Sequence, residues 1–338
     1  MTETQNRRRP DWKKLISTAL FLILAGLLAW YIYTHQDEMV KLLQLSPLTL
    51  FELLGLGLLS CVVNCLYHLA MLRTYRLQLS LTDWAGVVCV TNTMAYVLPM
   101  RADLVFAAAY YKRVKGLAYT KSVSMGAGNV VFGVAFSLLQ ILIALLCMGL
   151  IDGSWPLLMW LLTAIGSACL LFFLFLSFRA ESGLRAKLEK HKLVADVIGG
   201  FNALIRNRRL LWDLLWCLIA SNLIHLLTNM VAFRAIGLPV TLYEALFYSS
   251  IGWLASVVAI VPGNLGLKES VMGIATAALG AMFSEGVAAS LLDRVTMMIV
   301  YIFMGMIFAF PVWRNFNNGK GRLNRNEEPA EAPESTQP

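Results

Sequence analysis

Three short clusters bring charge into the apolar part of this chain. Pro99, Arg101 and Asp103 fall in "YVLPMRADLV". Pro262, Gly263, Gly266, Lys268 and Glu269 fall in "IVPGNLGLKESV", and Asp293 and Arg294 in "LLDRVTMMIVY". A proline ends a helix because it has no N–H and its ring clashes with the preceding turn. New half-helices are therefore expected to start at Ala102 and at Leu267, each exposing unpaired N–H groups and a positive dipole end. Such an end favours an anion, and Arg101, Lys268 and Arg294 add charge suited to a phosphate. Asp103 or Glu269 would hold a cationic headgroup, or gate by exchanging partners. The same six charges also suit plain structural pairing: Arg101 with Asp103, Lys268 with Glu269, and Asp293 with Arg294. Both readings stay open at this level.

Bond-making chemistry has less support. The chain has no H-E-x-x-H, no G-x-S-x-G and no G-x-x-x-x-G-K-[ST], and it offers no convincing group of cytoplasmic acids for a sugar-nucleotide metal site. The expectation is a non-enzyme with no cofactor and no metal. Asn222, His225 and Asn229, spaced i, i+3 and i+7, form a polar stripe that either lines a cavity or hydrogen-bonds between helices. Asn92 and Asp293 are further candidates for a cavity wall. Cys61, Asn64, Cys65 and His68 share a helix face but supply too few ligands for a metal, so packing is the reading. Asn129, with Gly126, Gly128 and Gly133, reads as close helix packing. The six cysteines all lie in apolar blocks, which argues against a disulfide framework.

The elements that position these residues follow from composition. Hydrophobic residues make up 58% and charged residues 14% of the 338, against roughly 45–50% and 25% in soluble domains. Leu15–Tyr33, Leu48–Leu72, Val123–Ile151, Leu157–Phe178, Leu210–Phe233 and Val287–Trp313 each approach or exceed the ~20 apolar residues of a spanning helix. Leu15–Tyr33 is too long for a signal h-region and has no small-x-small site after it, so it reads as the first span. The expected fold is an all-α polytopic membrane protein.

Lysine and arginine set the orientation. All but five of the 28 lie in the N-terminal tail, in connections near 73–76, 112–121 and 179–209, or in the C-terminal tail. The exceptions are Lys41, Arg101, Arg234, Lys268 and Arg294, with Arg234 fitting least well. Basic flanks on both sides of residues 85–111 require that segment to enter and leave from the cytoplasm. Its limb Ala85–Leu98 spans only about 21 Å as a helix, short of a ~30 Å hydrocarbon core. By the same logic residues 245–280 begin and end outside. The sequence therefore predicts about six full spans and two oppositely oriented re-entrant hairpins, an inverted repeat of the kind that places a transport site near the midplane. Residues 1–14 form a basic cytoplasmic tail. The basic loop 179–209 suits an amphipathic helix on the anionic inner leaflet, or positive-inside bias alone. Residues 314–338 have the composition of a disordered tail.

"VPGNLGLKESV" resembles the Pro-(Gly/Ala)-x-x-Gly-x-x-Glu signature of the membrane region of lysylphosphatidylglycerol synthases and their stand-alone relatives, with Pro262, Gly263, Gly266 and Glu269 on the pattern. Arg294 in "LLDRVTMMIVY", and Asn92, Pro99, Arg101 and Asp103 in "NTMAYVLPMRADL", resemble two further segments of that family. The likeness covers most of Leu15–Trp313 and implies a protein that moves or handles lipids. No aminoacyl-transfer domain is expected in the 25 residues after Trp313.

These observations converge on a lipid translocase, flippase- or scramblase-like, of the cytoplasmic (inner) membrane with both termini inside. The cargo expected is a phospholipid or polyprenyl-phosphate lipid passing a polar cavity between the hairpins. A non-catalytic partner of a lipid-synthesising or lipid-modifying enzyme, and a headgroup-modifying transferase, are the alternatives. A second copy of the chain is a further candidate partner. The basic balance is explained by cytoplasmic charge, and nothing points to nucleic acid.

Overall fold

The computed structural model describes residues 45–319 apart from 74–76, 99–101, 118, 179–207 and 258–265. The expected span Leu15–Tyr33, the N-terminal tail, residues 320–338 and most of the 179–209 loop lie outside the described residues, as do Pro99, Arg101, Pro262 and Gly263; residues 314–318, expected in the C-terminal tail, instead continue the last helix.

Nine α-helices make up the described chain, with no strand among the described residues: α1 Pro47–Arg73, α2 Val87–Val97, α3 Ala102–Lys115, α4 Tyr119–Cys147, α5 Leu157–Phe178, α6 Arg208–Ala235, α7 Leu242–Val257, α8 Leu267–Ala278 and α9 Phe283–Asn318. A π-helical turn, Thr82–Gly86, leads into α2, and a second, Met148–Asp152, ends α4. α1, α4, α6 and α9 are long and apolar enough to cross a membrane. Large apolar side chains such as Phe51, Phe172, Trp216 and Phe303 face outward on them and on α5. That surface is the one a bilayer solvates, because backbone groups are satisfied within each helix. The protein is an all-helical, multi-pass membrane protein.

Contacts sort the helix ends into two groups. At one end Leu72, Val87, Tyr110, Tyr111, Leu117 and Val312 form a buried cluster, so α1 finishes where α2 starts, α3 finishes and α9 finishes. At the other end Leu53, Met148, Phe233, Phe247, Met272 and Ala289 pack together, where α1 and α9 begin and α4 and α6 finish. α1 and α6 run antiparallel: Arg234 pairs with Glu52 near one end, and Met71 packs with Leu210 and Leu214 at the other. Arg234, the cation that fitted the orientation least well, is thus matched by an acid.

The two broken segments have short limbs. α3 has 14 residues, α7 16 and α8 12, so none exceeds about 24 Å. α2 with α3 and α7 with α8 pack against each other. Leu98 leaves α2 in an extended conformation (φ −105°, ψ 142°), as a residue before proline must. α3 begins at Ala102 and α8 at Leu267, the two starts expected from the breaks. The base of the first pair is tied by Asp83, which accepts from Ser80 N and Oγ at 2.8 and 2.7 Å and from Tyr110 Oη at 2.9 Å. Lys115 completes this group at 2.6 Å. Beside the second pair, Tyr243 Oη donates to Asp152 Oδ1 at 2.6 Å.

Candidate functional site: a polar cavity beside crossed ion pairs

Between these helix pairs lies a cavity of about 290 Å³. Its wall takes Asn92 and Tyr96 from α2, Trp253 and Ser256 from α7, Lys268 from α8 and Asp293 from α9, with α1, α4 and α6 closing the remaining sides. A volume of this size sits at the lower edge of small-molecule sites. It has room for a headgroup rather than a whole lipid.

Four charged side chains meet where α8 crosses α9. Lys268 Nζ is 2.6 Å from Asp293 Oδ2, and Arg294 Nε is 2.6 Å from Glu269 Oε1. Glu269 is 4% exposed, Asp293 6% and Arg294 7%, so bulk water does little to stabilise these charges. The local pairs expected from the sequence, Lys268 with Glu269 and Asp293 with Arg294, are not the ones that form. Consecutive residues on a helix point in different directions and do not face each other. Each therefore pairs across the helix crossing.

Glu269 has a second role. Its Oε2 accepts a hydrogen bond from Gly266 N at 2.9 Å, the reciprocal half of a capping box. The positive end of α8 is thus met by the chain's own carboxylate, and the anion-binding role expected for this helix start is corrected accordingly. Gly266 holds φ +84°, a conformation that glycine adopts without steric cost.

Placement of the remaining candidates is mixed. His225 and Asn229 line the cavity, as do Asn92 and Asp293. Asn222, expected on the same stripe, is not on the wall; its Nδ2 donates to Leu218 O at 3.0 Å on its own helix. Asp103 is buried in the first turn of α3, where negative charge meets the positive helix end, away from the cavity lining. Glu269 and Arg294 stand behind the wall rather than on it.

Other wall residues went unremarked in the sequence. Tyr67, Tyr96, Tyr248 and Tyr301 all line the cavity, yet an aromatic residue in an apolar run looks the same whether it faces lipid or a pocket. Asn129, read as a packing residue, lies on the wall and accepts a hydrogen bond from Tyr67 Oη. The glycine argument holds at Gly133, where the Trp253 ring occupies the place of a Cβ, but not at Gly126, which has open space. On α1, Asn64 and His68 turn to the cavity, while the thiols of Cys61 and Cys65 meet Cys89 of α2 at 3.8 and 4.0 Å. Among the described residues these three buried thiols lie close enough together to hold a soft cation. The third ligand arrives from a different helix, which no spacing within α1 reveals.

Comparison with curated proteins and with solved structures finds no match. The family described as lysylphosphatidylglycerol synthase TM region matches residues 15–305. That stretch contains the whole cavity wall, both crossed ion pairs and all three charge clusters. By the extent of this match the chain belongs to the lysylphosphatidylglycerol synthase TM region family.

Proposed function

We propose that the protein is a lipid translocase of the cytoplasmic membrane, passing the headgroup of a phosphate-bearing lipid through the cavity. The observation that carries this reading is the polar wall itself, built jointly by α2 of one broken pair and by α7 and α8 of the other. Non-helical backbone at membrane depth is tolerated only where protein buries it or a wet cavity receives it. Breaks read as tips of oppositely oriented re-entrant hairpins require such a cavity, and helices that flank them line one.

Support for the opposed orientation comes from the bases. The first pair is tied at the end where α1 and α9 finish, and the second packs at the end where α1 and α9 begin. Both termini are then cytoplasmic, given the basic loops and tails. The reading needs no bond-making step. A phospholipid or a polyprenyl-phosphate lipid would be the cargo, driven by its own gradient, by an ion or by a lipid-synthesising partner. Family membership supports lipid handling in general.

The test is reconstitution into liposomes containing acyl-labelled lipids, followed by an impermeant quencher. Accelerated loss of inner-leaflet fluorescence, abolished by Glu269→Gln or Arg101→Ala, is the expected result. No acceleration with any lipid, from folded protein, would move the assignment to an assembly partner. A chemically altered lipid in the same vesicles would move it to a transferase.

A further inference from the structure

Three sulfurs from two helices converge beside the cavity. Cys61 and Cys65 stand one turn apart on α1, and Cys89 meets them from α2, with its Sγ 3.8 Å from that of Cys61 and 4.0 Å from that of Cys65. All three sulfurs lie within 4.8 Å of one another, and the residues are 1%, 5% and 0% exposed in chain order. They are free thiols. Two thiols in contact are ordinary packing of a small hydrophobe. A closed triangle also matches a ligand set, because three sulfurs in a plane about 2.3 Å from a central ion stand about 4.0 Å apart.

The surroundings are soft as well as apolar. Met297 and Met304 of α9 pack in the same cluster. A Cβ placed at Gly57 would lie 3.6 Å from Met297 Sδ, so this thioether sits on the α1 face one turn before Cys61. No imidazole or carboxylate among the described residues belongs to the thiol set. That donor set discriminates between ions. Hard cations take oxygen ligands. Zinc in a structural site takes four ligands, and iron–sulfur clusters take four cysteines. Three sulfurs with no hard donor suit a soft monovalent cation, copper(I) above all.

We propose that Cys61, Cys65 and Cys89 form a three-coordinate site for copper(I). Each sulfur that binds as thiolate releases its proton to water, and the ion keeps its oxidation state. Cys65 then gives up its weak contact with Ala85 O at 3.9 Å. Ser60 and Asn64, next to these cysteines on α1, and Asn92, one turn beyond Cys89, line the cavity. The cavity and the sulfurs thus occupy adjoining faces of the same two helices, and an ion held there fastens α2, with its wall residues Asn92 and Tyr96, to α1. The assignment stands independently of the translocase reading.

The purified protein, reduced and oxygen-free in detergent, is titrated with copper(I) against a chromophoric copper(I) chelator. A single ion per chain is expected to leave the chelator, and X-ray absorption should show three sulfurs at about 2.3 Å. Changes outside a ligand shell already cost about 10–100-fold in metal affinity, so Cys89→Ser and Cys65→Ser should each weaken uptake at least about tenfold. Changing Cys147, Cys169 and Cys217 together to serine should leave uptake as in wild type. Thermal unfolding gives a second measure: copper(I) should raise the wild-type midpoint and leave that of either ligand variant where it was. If Cys89→Ser does not fold, Cys65→Ser carries the test. No uptake from the chelator, undiminished uptake by Cys65→Ser, or two sulfurs rather than three around the ion would each overturn the proposal. Zinc that displaces copper(I) mole for mole would overturn the choice of ion.

Discussion

Asp83 and Lys115, at opposite ends of the first broken helix pair, meet at 2.6 Å, with Asp83 only 2% exposed. The contact closes the base of that pair, since Lys115 also donates to Gln78 O at 2.6 Å and Tyr111 Oη donates to Asp83 O at 3.0 Å. Asp83→Ala removes the buried carboxylate that accepts from Lys115, Ser80 and Tyr110. Loss of about 3 kcal/mol is expected, read as a lower unfolding midpoint in detergent. A midpoint equal to wild type would show that the base holds without this pair.

The same carboxylate sets a pH dependence. Burial pushes its pKa up, but the hydrogen bonds from Lys115, Ser80 and Tyr110 outweigh burial and hold it below the ordinary carboxylate value. A depressed folded-state pKa contributes stability in full above the unfolded value, about 3.9 for aspartate. That contribution is lost as pH falls through the folded value. Wild type minus Asp83→Asn should therefore be a constant stability difference between pH 5 and pH 7, shrinking below about pH 4. A difference that shrank on the alkaline side would contradict this sign.

Glu269 and Arg294 make the second crossed pair, and neither reaches water. Glu269→Gln removes one charge of this buried pair and should cost about 3–5 kcal/mol. Adding Arg294→Met to that variant removes the other charge of the pair and should restore much of the loss. If the double variant is no more stable than the single one, the charge is not the source of the cost.

Two glycines separate backbone crowding from side-chain crowding. A Cβ at Gly286 would collide with Met272 O, part of the α8 backbone, whereas at Gly133 its three nearest neighbours would all be atoms of the Trp253 ring. Gly286→Ala should spread α8 from α9 and cost about 1–3 kcal/mol. Gly133→Ala should cost less, because a ring can turn, but it should alter the cavity wall and the lipid preference. Equal destabilisation by the two would contradict the distinction.

Glu52 and Arg234 offer a contrast in exposure, with side chains 33% and 59% exposed. Glu52→Gln should change stability by less than about 1 kcal/mol. A larger loss would mean that this end of the bundle is drier than its exposure implies.

The long apolar runs were legible because a lipid-facing helix must be apolar around most of its surface. Five of the expected spans appear as helices, and both half-helix starts fall where the prolines placed them. Pairing was less legible. Lys268 and Glu269 are adjacent in sequence, but 3.6 residues per turn send them to different partners on α9. The cavity wall was legible only where its residues are amides, imidazoles or charges that an apolar run does not otherwise tolerate. Tyr67, Tyr96 and Tyr301 carry no such mark, since their role comes from which helix faces them. Asn222 fails for the opposite reason: a helix carbonyl four residues back satisfies its amide without any pocket.

Glu269 divides one carboxylate between two tasks, Oε2 on the backbone that opens α8 and Oε1 on Arg294. The order of the first turn of α8 and the neutrality of the ground behind the cavity therefore cannot be adjusted separately. Rotating this one side chain breaks a helix-end hydrogen bond and an ion pair together. Movement at this break should then be a step between two states rather than a graded slide, and a substitution that preserves only one of the two contacts should trap the step partway.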